Sequence, residues 1–159
     1  MSTAYSGTMV SFSFALADMK IMCTSLLIQG SFPEYENESI MPVNFNTKVT
    51  LDKSQFDKAI RKIAIMTKDI NNYIGIESQE DKLKLISGET DMGEAVTTTP
   101  AIVNGDNVQF GVNGKYISDF LRSAESTEIL MQVINAEKPI IFKDKDDDHY
   151  TYVVRPLIK

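Results

Sequence analysis

Residues 51–67 read Leu-Asp-Lys-Ser-Gln-Phe-Asp-Lys-Ala-Ile-Arg-Lys-Ile-Ala-Ile-Met-Thr, and residues 112–122 read Val-Asn-Gly-Lys-Tyr-Ile-Ser-Asp-Phe-Leu-Arg. In the first stretch Asp52 precedes an apolar stripe, Phe56, Ile60, Ile63 and Thr67, spaced by three and four, with Gln55 in the position that completes a capping box. A helix to about Thr67 follows, oily on one side, with Lys58, Arg61 and Lys62 on another. Shifting by 61 positions lays Leu51-Asp52 over Val112-Asn113, Phe56 over Ile117, Ile60 over Leu121 and Arg61 over Arg122. Cap, stripe and arginine coincide, which points to an internal duplication.

Working outward, the alternation around these helices predicts strands at 48–51, 72–78, 82–87, 94–99 and 108–112, with a helix from 113 to about 123 and strands at 128–134, 139–143 and 150–157. Turns are expected at 79–81, 88–93 and 100–107. The fold class is α+β, built of two strand–helix–strands halves whose helices pack on antiparallel sheets. Upstream, 10–14 alternates as a half-buried strand, and 19–29 supplies one or two more. Residues 1–8 show no period and read as a frayed end without a function. Residues 36–47, with Pro42 and the polar run Glu36-Asn37-Glu38-Ser39, form a connector, so the expected division is 1–35, 36–47 and 48–159.

Composition narrows the chemistry. The 159 residues are 43% hydrophobic and 24% charged, an ordinary globular balance. Cys23 is the single cysteine, set in an apolar run, and reads as a core thiol in a reducing, cytoplasmic setting. The lone His149 stands beside the acidic run 144–148 and reads as solvated. That run lacks the glycine and closing glutamate of a calcium loop, so a charged hairpin tip is expected and no metal site. Gly111-Val112-Asn113-Gly114 lacks the spacing and lysine of a phosphate loop. Neither a cofactor nor an enzyme is expected. A net charge of −6 argues against bulk attraction to nucleic acid, yet Lys53, Lys58, Arg61, Lys62, Lys68, Lys115 and Arg122 gather on and around the two helices.

Several segments resemble one family in order along the chain. Leu26-Leu-Ile-Gln-Gly-Ser-Phe-Pro-Glu-Tyr35 is similar to the end of the middle domain of the bacterial DNA polymerase III beta subunit, a Leu-Ile-x-Gly-x-Phe/Tyr-Pro-Asp-Tyr run. Ile60–Thr67 resembles the first helix of its third domain, Phe110–Leu121 the second, and Tyr152–Lys159 the C-terminal strand and tail. The resemblance spans about residues 9–159 and implies the DNA-clamp fold. It further implies a homodimeric ring around duplex DNA that tethers polymerase and clamp-loader subunits through short linear peptides.

Carried over by position, the resemblance assigns Lys58, Arg61, Lys62, Lys115 and Arg122 to the DNA-facing surface. The partner-peptide groove takes Pro33, Ile40, Val153, Arg155, Pro156 and Leu157, and the subunit interface takes Ile65 and Met66. The chain departs from the family in two places. The connector is longer, so Ile40 is located by the following Met41-Pro42, and Arg155 stands where the family has an apolar residue. The residues also leave open a peptide-binding adaptor with no DNA role, and a small enzyme if ionisable groups converge in a pocket.

Overall fold

The computed structural model describes residues 1–68, 71–88, 93–147 and 149–157. They fall into two compact units, Met1–Glu34 and Tyr35–Lys159. Of the expected turn at 88–93, residues 89–92 lie outside the described residues, as do Asp148 of the acidic run and residues 158–159 of the tail.

The first unit is an antiparallel meander of β1 (Ser2–Ser6), β2 (Met9–Leu16) and β3 (Met19–Leu26), in the order β1-β2-β3. Residues 1–8 are therefore not a frayed end: Thr3 pairs with Phe12 and Tyr5 with Val10. Their order comes from the β2 ladder, which an isolated eight-residue window does not reveal. Residues 19–26 form one strand, and the turn that reverses it comes before Met19, at Ala17, whose φ is +51°. Cys23 lies opposite Phe12 and is exposed, contrary to the expected core thiol. The apolar run around it was a sound sign of a strand, but no residue of this three-stranded sheet is buried.

In the second unit, β4 (Thr47–Asp52) leads into α1 (Lys53–Thr67), followed by β5 (Tyr73–Gln79), β6 (Lys82–Ser87), β7 (Val96–Pro100) and β8 (Ile102–Gly105). Then β9 (Gln109–Asn113) leads into α2 (Gly114–Ser123), followed by β10 (Glu128–Val133), β11 (Ile140–Asp144) and β12 (Thr151–Val154). The two sheets run β12-β11-β10-β4-β8 and β7-β6-β5-β9. Each half thus lends its first strand to the other half's sheet. The registers match as well: Val49 faces Met131 and Leu51 faces Ile129, just as Phe110 faces Ile76 and Val112 faces Ile74. All eight of these side chains are buried. The duplication read from the sequence is therefore present in strand pairing as well as in the helices.

The strand β8 occupies a stretch expected to be a turn. Pro100 and Gly105 bracket only a short apolar pair, Ile102-Val103, a signal too brief to outweigh the flanking breakers. In the fold it pairs with β4, Val103 opposite Val49. Gly105 makes this possible, since its φ is +118° and a Cβ there would lie 2.0 Å from the Asn46 carbonyl oxygen.

Both helices bury the stripes expected of them: Phe56, Ala59, Ile60, Ile63 and Thr67 from α1, and Ile117, Phe120 and Leu121 from α2. They join β-strand residues in one core, where the Phe120 ring lies 5.4 Å from Phe142, 5.6 Å from Tyr152 and 5.9 Å from Tyr150. Truncating Phe56 or Phe120 to alanine in such a setting costs about 3–5 kcal/mol.

Candidate functional site

The two helix starts are built alike. Asp52 is extended and its carboxylate accepts from the Gln55 N–H at 2.8 Å; Asn113 is extended and its Oδ1 accepts from the Lys115 N–H at 2.9 Å. The helices pack against each other and run antiparallel. Lys53, at the start of α1, donates to the Ala124 carbonyl at the end of α2, while Gly114 N–H, at the start of α2, donates to the Asn72 carbonyl just past α1. Asn71 and Asn72 both hold positive φ there, which asparagine tolerates better than most residues.

On this scaffold Lys58, Arg61, Lys62, Lys115 and Arg122 are all exposed. The aligned arginines are equivalent in exposure, 74% and 73% of the side chain, and each has a carboxylate partner on its own helix. Arg61 Nε lies 2.8 Å from Asp57, and an Arg122 guanidinium nitrogen lies 3.0 Å from Asp119. Lys58, Lys62 and Lys115 have no ion pair among the described residues. Helix α1 carries four basic residues and one acid, and α2 two basic residues and one acid, so the rest of this −6 chain sums to −10. Positive charge is concentrated on the helices.

The residues of the expected groove are placed as follows. Pro33 belongs to the first unit and is exposed. In the second, Ile40 is half-buried in a turn where its N–H and that of Met41 both donate to the Asn37 carbonyl. Val153 is half-buried on the outer strand β12, and Arg155 is exposed. Past the half-buried Pro156, Leu157 donates to the Gly111 carbonyl at 2.8 Å, so the tail leaves one sheet and bridges to the free edge of the other. Leu157 keeps 40% of its surface exposed there. Ile65 is 72% exposed on α1, whereas Met66 beside it is half-buried.

Two residues escaped the sequence reading. Tyr116, on the first turn of α2, is 51% exposed. Burial raises the Tyr152 phenol, with the charges of Asp119, Tyr150 and Tyr116 acting in the same direction. Off the α2 stripe, Tyr116 had no periodic signal to mark it. Asp144 was assigned to a solvated hairpin tip, but it lies on β11 with 5% exposure and accepts from the backbone N–H groups of Glu125, Ser126 and Asp146. Among the described residues of this charged run Asp144 is the buried one, since composition does not show where the strand ends. His149 is exposed, as expected.

The family model described as DNA polymerase III beta subunit, C-terminal domain, matches residues 38–158. The chain belongs to that family. A beta sliding clamp of Synechocystis is 26% identical over 146 residues, which are 91% of this chain and 36% of that protein. The beta sliding clamp of Staphylococcus aureus strain Mu50 is 27% identical over 135 residues, 84% of this chain and 35% of that protein. Among solved structures, the DNA polymerase III beta subunit of Thermotoga maritima superposes with a TM-score of 0.84 at 24% identity, over 99% of this chain and 41% of that one. The clamp fold is therefore shared. The chain spans about a third of the length of the curated relatives it matches. Among the described residues, no helix is long and apolar enough to cross a membrane.

Proposed function

We propose that this chain works as part of a DNA polymerase processivity clamp, a cytoplasmic, non-catalytic ring subunit that encircles duplex DNA. The observation that carries this reading is the concentration of positive charge on the exposed faces of α1 and α2 in a chain whose other residues sum to −10. Lys58, Arg61, Lys62, Lys115 and Arg122 face the phosphates. Such contacts attract the backbone without reading bases, so the ring stays attached while sliding. Ile40, Val153, Arg155, Pro156 and Leu157 contribute to a groove for linear peptides of polymerase and clamp-loader subunits. The partly exposed residues Val153, Arg155, Pro156 and Leu157, which mix apolar side chains with one cation, support this role. Ile65 and Met66 face the neighbouring subunit of a homodimeric ring.

A salt titration of duplex binding by fluorescence anisotropy tests the DNA role. Without encirclement, the isolated chain binds with a dissociation constant no tighter than roughly 10⁻⁴ M at physiological salt, the weak end of non-specific binding. Affinity falls with salt and is independent of sequence. Tight or sequence-dependent binding, or none that responds to salt, would count against the clamp role and favour the adaptor without a DNA role.

A further inference from the structure

The two duplicated sheets differ at one pair of outward positions. Ile74 and Ile76 on β5, and Phe110 and Val112 on β9, are buried in the core, so Gly75 and Gly111 between them turn to the outer face. The two glycines sit directly opposite each other. In the other half the same places, between Ile129 and Met131 and between Val49 and Leu51, hold Leu130 and Thr50. Glycine inside a strand weakens it, and often marks a place where a ligand or another backbone comes close. Part of the vacated space is taken by Tyr73, whose ring lies on Gly111: a Cβ there would stand 2.4 Å from Tyr73 Cε2. At Gly75 the nearest atoms to such a Cβ are 3.6 Å away, so the floor there stays open.

Over Gly75 lies a recess of about 440 Å³ whose walls include Tyr73, Glu77, Ile86, Glu94 and Gln109. Gln109 Nε2 donates to Glu77 Oε1 at 2.9 Å and Lys84 Nζ donates to Glu77 Oε2 at 3.1 Å, which fixes the carboxylate. Each Glu77 oxygen keeps a second lone pair to offer, and Gln109 still has its carbonyl oxygen. Glu94 is exposed and has no ion pair among the described residues. The charged side chains lining the recess, among the described residues, are these two carboxylates, which repel an anion. A guanidinium, with five N–H donors and no acceptor, matches them. Its plane also stacks on an aromatic face, where arginine is found more often than lysine. The recess adjoins the tail, because the residue under the Tyr73 ring, Gly111, is the one whose carbonyl accepts from the Leu157 N–H.

We infer that the recess over Gly75 seats an arginine side chain of a linear partner peptide, stacked on Tyr73 and donating to Glu77, Glu94 and the Gln109 carbonyl. The arginine flanks the apolar segment that lies along the tail. The inference rests on the proposed peptide groove for the source of the arginine, and the test separates the recess from the groove.

The test is an amide-resolved NMR titration of the full 159-residue chain with acetyl-arginine amide and with its neutral isostere, acetyl-citrulline amide. Wild type is compared with Gly75→Leu, which supplies the side chain that Leu130 provides in the other sheet, and with Glu77→Gln. Gly75 lacks the positive φ that would bar a side chain, and Glu77→Gln carries the test by itself if Gly75→Leu does not fold. Saturable shifts centred on Gly75, Glu77 and Gln109 are expected with the arginine amide, and each variant should weaken them about tenfold. An equal response to the citrulline amide, or equal binding by wild type and Glu77→Gln, overturns the recess as an arginine seat. The peptide source is tested by selecting random linear peptides on the same chain. Wild type should enrich an arginine at a fixed distance from an apolar segment, and Gly75→Leu or Glu77→Gln the apolar segment alone. Enrichment of apolar segments without arginine on wild type overturns the inference and leaves the groove standing. Enrichment of arginine without an apolar segment supports the recess and removes the groove.

Discussion

At Asp144 a carboxylate is buried where burial alone would push its pKa up. Backbone N–H donors from Ser126, Glu125 and Asp146, together with the charge of Lys53, overcome that cost and hold the group below the usual carboxylate range. Its folded pKa is depressed, so its stabilising contribution is complete above the ordinary value of about 4 and is lost as pH falls through the folded value. Urea melts at pH 7, 4 and 3 should therefore show wild type losing stability in that window, and Asp144→Asn losing less. At pH 7, Asp144→Ala should cost about 2–3 kcal/mol, because three backbone donors lose their acceptor. Equal pH slopes for wild type and Asp144→Asn would refute the assignment. Thr99 presents the opposite case, a buried hydroxyl with no partner among the described residues. Valine keeps its shape and removes the unmet polar group, so Thr99→Val should leave stability unchanged or raise it by about 1 kcal/mol. A lower melting temperature for Thr99→Val would mean that the hydroxyl has a partner.

Duplication is clearest in the strand–helix elements. Asp52 and Asn113 occupy the same place in the two halves, each accepting from an N–H of the first helical turn. Asp52→Ala and Asn113→Ala should each lower stability by about 1 kcal/mol, with additive effects in the double variant, measured by denaturant midpoints. A cap that could be removed at no cost would show that its helix start is held by tertiary contacts instead, the Asn113 side chain also donating to the Asn71 carbonyl. These elements were legible in the sequence because cap, stripe and period are local signals. β8 was not, because two apolar residues between breakers become a strand only when β4 is alongside. The exchange of first strands between sheets was equally hidden, since pairing of Leu51 with Ile129 is set by the whole fold and not by either segment. Among the candidate site residues, exposure of the five basic side chains followed from helical periodicity. Their division into paired arginines and unpaired lysines did not, because Asp57 and Asp119 fall at different offsets from their arginines, four and three residues.

At the scale of the whole molecule, the charge distribution and the exposed apolar positions bear on assembly. A chain of net −6 repels its own copies at long range. Ile65 is nevertheless 72% exposed on α1, an apolar side chain with little to gain inside this chain. If it belongs to a subunit interface, its replacement by a charge should be invisible to the isolated fold. Ile65→Glu is therefore expected to change unfolding stability by no more than about 0.5 kcal/mol, the usual range for a surface position. Multi-angle light scattering of the 159-residue chain at micromolar concentration should give the mass of one chain, 17.8 kDa. A weak dimer through exposed apolar residues should disappear in Ile65→Glu if that position carries the contact. Two results would overturn this account: a stable ring-sized oligomer of the chain by itself, or a loss of more than about 1 kcal/mol in Ile65→Glu, which would make Ile65 part of the domain's own packing and not of a surface kept for a neighbour.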